Sequence, residues 1–192
     1  LQERVANLRN ALRVPNMGAG ADQAVLQHAL EELRRDSPAF VDLGLFGPDG
    51  TLRSYAGPFP GLVGRDYKDE SWYKALTEGD RNYYISDVYL GFRNRPHFIV
   101  ATLRLVGDQP WILRASVDPE KFADFVARSR LIEQAEVFIL NPDGRRQTFT
   151  LEEDEAPPAS SAPSRSAATA VEETRSGGET FLRAVAWLTT NE

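Results

Sequence analysis

Residues 41–50 read VDLGLFGPDG, and residues 135–144 read AEVFILNPDG. In each, an apolar run is stopped by Pro-Asp-Gly. That tripeptide turns because proline presets φ, aspartate bonds nearby backbone and glycine accepts a positive φ. The copies stand at the same strand-then-turn position, 142 − 48 = 94 residues apart. Each also follows a helical stretch and precedes a second strand, so the pattern reads as an internal structural repeat and not as one common turn met twice. The fold class that follows is α+β: two tandem modules, each an antiparallel sheet with flanking helices.

Working outward, residues 1–14 carry Leu1, Val5, Leu8, Leu12 and Val14 at roughly helical spacing. PNMGAG breaks that helix, and a second is expected from Asp22, a good N-cap, with Val25, Leu26, Leu30 and Leu33 as its apolar face. FVDLGLFGPDGTLRSYAG makes two strands around the first turn, and DESWYKALTEGD (69–80) a short helix. PHFIVATLRLV and WILRASVD are strands either side of a turn at residues 107–110. PEKFADFVARSRLIEQ is a helix with Pro119 in its first turn, and GETFLRAVAWL a closing strand. The expected organisation is N-terminal helices over 1–37 and a larger module over 38–118. A connecting helix over 119–134 leads to a reduced second module over 135–192. Residues 152–178, rich in Glu, Ala, Pro and Ser, are expected to be flexible.

The totals exclude several classes. A formal charge of −6, with arginines scattered and an acidic LEEDE at 151–155, argues against a nucleic-acid partner. The absence of cysteine removes disulfides, zinc–thiolate sites and thiol nucleophiles. No run approaches the ~18 apolar residues of a membrane span. The chain opens in the middle of an amphipathic pattern and stops straight after an apolar strand, so it is expected to be a fragment of a longer protein.

Chemistry concentrates between residues 83 and 118. Across the hairpin at 107–110, pairing 106 with 111 and alternating by two puts Arg114, Ser116 and Asp118 on one face with His97, Ile99 and Ala101. A one-residue slip would carry His97 to the other face. Arg, Ser and Asp cannot be pointed unpaired into a dry core, so this face is either solvated, internally paired, or the polar floor of a pocket covered by residues 64–73. Trp72, Tyr73, Tyr84 and Tyr89 would supply walls, Asp87 and Arg93 further charge.

FVDLGLFGPDGTLRSYAGPFPGLVGRDYKDESWYKAL followed by YISDVYLGFRNRPHFIVAT resembles the double Cache sensor domains, tandem PAS-like modules on the outer side of bacterial membrane receptors. The likeness is strongest to those of sensor histidine kinases. Amino-acid-binding members place an Arg two residues before a Trp-Tyr pair, a Tyr in the next strand, and an Asp after the last strand of the distal module. Trp72 and Tyr73 match the pair, Tyr84 the strand Tyr and Asp118 the closing Asp. Glu70 stands at the Arg position, and Arg65 where a Tyr seven residues before the Trp is usual.

The resemblance implies an extracytoplasmic, periplasmic sensory domain of a membrane-anchored receptor, homodimeric at full length. It would bind a small carboxylate, amino acid or amine through Trp72, Tyr73, Tyr84, Asp87, Arg93, His97, Arg114, Ser116 and Asp118. No catalysis, cofactor or metal is expected of this region. Asp87 and His97 could be imagined as an acid–base pair, but no nucleophile elbow, H-E-x-x-H or phosphate-cradling loop accompanies them, and His28 lies on a separate amphipathic helix. Two other readings stay open: a structural or protein-binding module, which would show an apolar groove in place of a polar pocket, and a small hydrolase.

Overall fold

The structure is a computed structural model, and it describes residues 6–8, 10–11, 23–89, 96–121, 139–141, 147, 169–176 and 178–186. Arg93, the Asp22 cap, most of the 119–134 helix and residues 152–168 lie outside the described residues.

Helix α1 (Gln23–Asp36) buries Leu26, Ala29, Leu30 and Leu33, which recur at i, i+3, i+4 and i+7 and so share one stripe. Each leucine taken fully out of water contributes about 1.5–3 kcal/mol. Arg34 bonds the backbone carbonyls of Phe40 and Val41 and ties the helix end to the first strand. Residues 6–8 and 10–11 are helical too, with Leu8 fully buried against the same core and Asn7 bonded to Asp36 at 3.1 Å.

Five strands follow: β1 (Phe40–Phe46), β2 (Leu52–Ala56), β3 (Tyr83–Ile85), β4 (Phe98–Val106) and β5 (Gln109–Val117). They form one antiparallel sheet in the order β2-β1-β5-β4-β3, so β5 is central. The sheet has two covered faces. Leu43, Leu45, Val100, Leu113, Ala115 and Val117 pack with α1. Phe46, Ile99, Ala101 and Ile112 pack on the other side beneath the segment running from a 3-10 turn (Pro60–Leu62) through helix α2 (Ser71–Thr77).

The first Pro-Asp-Gly turn positions that cover. Gly50 sits at φ 79°, and a Cβ there would lie 2.7 Å from the backbone nitrogen of Lys68. Only glycine lets the two backbones approach so closely. Tyr67 N then donates to Gly50 O, Leu52 N to Arg65 O and Gly64 N to Leu52 O, which lashes residues 64–67 along the turn and β2.

Two expectations are corrected. The β4–β5 turn holds two residues, Gly107 at φ 62° and Asp108, because Val106 pairs with Gln109 and not with residue 111. The shift is by two, so every side chain keeps its face. Residues 152–178 include part of a regular element: β6 (Thr169–Ser176) pairs antiparallel with β7 (Glu179–Ala186) as a hairpin. The second Pro-Asp-Gly region is described at residues 139–141 and 147, where Gln147 N donates to Ile139 O at 2.8 Å.

Candidate ligand-binding site

Register places the candidate residues in rows across the sheet. Tyr55 pairs with Gly44, Gly44 with Arg114, Arg114 with Ala101 and Ala101 with Tyr84. Arg114 is therefore flanked by a glycine and an alanine, and its long stem rises from a low floor. Tyr84 stands two strand spacings away, about 10 Å. The next row is Asp42, Ser116 and Ile99, and Ser86 bonds Ile99 from the sheet edge.

Above Arg114 lies an aromatic box. Its guanidinium carbon is 4.9 Å from the Phe46 ring centre, 5.1 Å from Tyr67 and 5.3 Å from Trp72. The rings hold one another edge-on, Phe46 to Tyr67 at 5.0 Å and Phe46 to Trp72 at 4.9 Å. Arg114 is 3% exposed and Trp72 2%. Cation–π contact with several desolvated rings is worth roughly 2 kcal/mol or more, against several kcal/mol for taking the charge out of water. Asp42, fully buried on the same face, accepts the Tyr55 hydroxyl at 2.8 Å.

Of the residues singled out from sequence, Trp72, Tyr84, Arg114 and Ser116 converge on this face. Tyr73 is buried beside Trp72, but its hydroxyl turns away and donates to the carbonyls of Pro48 and Gly47, at 2.9 and 3.1 Å. Burial raises its pKa, with Asp49 and Asp66 adding to the rise and a bond to the Gly50 backbone opposing it. His97 lies beyond Ile99 on β4's approach, its ring 4.6 Å from Tyr89, with which it forms an isolated bridge. Asp118 follows β5 directly, and its Oδ1 accepts from Glu120 N at 2.9 Å, the geometry of a helix cap. Asp87 is exposed and accepts from Asn141 at 2.9 Å, while Val88 N donates to Gln147. Arg93 lies outside the described residues.

Phe46 and Tyr67 belong to the box and were not singled out from sequence. The signal for Phe46 was its alternation with Gly44 on β1. For Tyr67 it was an aromatic in the cover five residues before Trp72. Among the described residues no cluster of metal-ligating side chains occurs.

A helix-backed antiparallel sheet of this order, with a covered polar row on the opposite face, defines an α+β module. Its fold matches that of double Cache-type extracellular ligand-binding domains. It superposes on an extracellular ligand-binding receptor from Desulfohalobium retbaense with a TM-score of 0.70 at 16% identity, over 99% of this chain and 35% of that one. On the extracellular domain of rpHK1S-Z16, classed as a histidine kinase, the TM-score is 0.67 at 17% identity, over 96% and 79%. On the ligand-binding domain of the Pseudomonas fluorescens chemoreceptor CtaA, solved with L-isoleucine, it is 0.63 at 16% identity, over 94% and 75%. The chain thus spans about a third of the length of the Desulfohalobium receptor. No protein-family model matches the sequence. No curated protein matches it significantly.

Proposed function

We propose that this chain is the extracytoplasmic ligand-sensing domain of a membrane-bound receptor of the sensor histidine kinase type. It binds a small organic molecule in the larger module, at the face bearing Arg114, Trp72, Tyr84 and Ser116, with His97 and Asp118 towards one end. The receptor is a homodimer anchored in the inner membrane. The observation that carries this reading is the Arg114 row: a buried cation and a serine on a sheet face, roofed by rings, in a fold shared with extracellular ligand-binding domains. A core built only for stability gains nothing from a buried charge there.

Binding energy reaches the membrane only as a difference in affinity between two arrangements of the domain. The bonds from Asp87 and Val88 to Asn141 and Gln147 join the loop after β3 to the second Pro-Asp-Gly segment, and they supply a contact for such a difference. The test is a thermal-shift screen over organic acids, amino acids and amines. A ligand at a hundred times its dissociation constant stabilises the native state by about 2.7 kcal/mol. In a domain of this size that raises Tm by roughly 5–11 °C. Specific capture of a protein partner with no response to any small molecule would favour a protein-binding module instead.

A further inference from the structure

Two hydrogen-bond donors under the aromatic cover have no acceptor among the described residues: Nε of Arg114 and the indole Nε1 of Trp72. Both side chains are more than nine-tenths buried, and they touch through the ring face. Arg114 forms no ion pair among the described residues, since the acids of the cover are engaged elsewhere, Asp66 with Lys68 and Asp69 with Lys74. A guanidinium cannot shed its proton, so burial does not neutralise it. Ring faces offset part of the charge but accept none of its N–H bonds in the plane where those bonds point. What the box lacks is an acceptor-rich anion.

We infer that the sensed molecule supplies it as a bare carboxylate. This rests on the sensory reading above and narrows it to a small monocarboxylate carrying no ammonium group. The two oxygens meet the guanidinium of Arg114, and the Trp72 N–H donates to the same group. The rest of the molecule runs over Ala101 towards Tyr84, which is about 10 Å from Arg114 across two strand spacings of the same row.

An α-amino acid does not fit this geometry, because its charges are only about 3 Å apart. The guanidinium leans towards Phe46, and Phe46 pairs with Ile112, on the side of Arg114 away from Asp118. Asp118 is four residues along β5, about 13 Å from Arg114 between Cα atoms, and one of its oxygens caps the following helix. Asp42 is nearer, but its carboxylate already accepts the Tyr55 hydroxyl, and Gly57 packs against its Cβ. The anchor has therefore moved from the segment before α2, where Glu70 stands, to the central strand.

The experiment titrates the full chain with the straight and branched monocarboxylates of three to six carbons, with the amides and amines of the same skeletons, with L-valine and L-isoleucine, and with inorganic phosphate. Melting temperature and calorimetric affinity are read. At millimolar concentration at least one carboxylate raises the melting temperature by several degrees, and its amide, its amine and phosphate do not. Arg114→Gln weakens that carboxylate at least about tenfold, and Trp72→Phe, which keeps a ring and drops the N–H, weakens it several-fold. Unliganded Arg114→Met melts no lower than the wild type, because it removes a charge with no partner. Binding of an amine or amino acid that survives in Arg114→Gln overturns the carboxylate and leaves the sensory reading standing. Silence across every set overturns both. Lower melting in both Arg114 variants with unchanged carboxylate affinity makes Arg114 structural and also overturns the inference, as does phosphate binding equal to the carboxylate's.

Discussion

The phenol oxygen of Tyr73 stands 2.9 Å from the carbonyl of Pro48, bridging helix α2 to the first Pro-Asp-Gly turn across 25 positions of sequence. One side chain thereby fixes the height of the cover over the sheet, because Trp72 is its neighbour in the helix. Removing the hydroxyl while keeping the ring isolates this bond. Tyr73→Phe is expected to cost about 1 kcal/mol. That is a fall in Tm of roughly 2–4 °C, read by thermal or urea unfolding. No loss of stability would mean that the turn holds the cover unaided.

The same phenol gives an alkaline signature. Burial first, then the charges of Asp49 and Asp66, raise its pKa above the ordinary 10.0, although a bond to the Gly50 backbone works against them. The folded chain keeps the proton longer than the unfolded one. Its contribution to stability is whole below pH 10.0 and is lost as pH rises through the folded value. Melting curves from about pH 9 upward should fall more steeply in the wild type than in Tyr73→Phe. Parallel curves would contradict this.

Asp118 has a structural duty that separates from its charge. Its Oδ1 caps the helix beginning at residue 119. Asp118→Ala should cost about 1 kcal/mol, within the usual 0.5–2, whereas Asp118→Asn should lose little because asparagine caps as well as aspartate. Denaturation midpoints of the two variants decide it. Equal losses would show that the charge, and not the cap, matters there.

Asp87 and Asn141 form a bond between residues 54 positions apart. A double-mutant cycle with Asp87→Ala and Asn141→Ala should give a coupling of about 0.5–1.5 kcal/mol. Additive losses would mean that the contact carries no energy between the segments. In the liganded receptor, loss of the pair should shift the response and the apparent affinity for the ligand together, because both follow the same equilibrium.

Much of the larger module was legible because its signals are local. Leu26, Leu30 and Leu33 announce a helix by spacing, and Pro48-Asp49-Gly50 announces a hairpin by composition. The Arg114–Ser116 face was legible even through a misread turn, since an error of two residues leaves a period-two pattern unchanged. What stayed hidden depends on distant partners. Nothing near Tyr73 says that its hydroxyl seeks Pro48, nor anything near Asp87 that Asn141 meets it. Tyr67 went unread because the ring it packs against, Phe46, lies 21 positions away (67 − 46). Thr169–Ser176 reads as a polar tract by composition, and its strand character comes from pairing with β7.

Gly44 lies beside Arg114 in the row that crosses the sheet, and a Cβ there would meet Leu52 Cδ1 at 2.8 Å and the Phe46 ring at 3.1 Å. Leu52 and Phe46 are both fully buried, so a side chain at position 44 displaces the Leu52 methyl and presses the Phe46 ring that roofs Arg114. Variation on that flank disturbs the box itself. Descendants of this domain that acquire a new preference reach it with less disturbance from the other flank, by enlarging or shrinking Ala101, Ser116 and Tyr84. The history of such a lineage would be written first on strands β3 to β5.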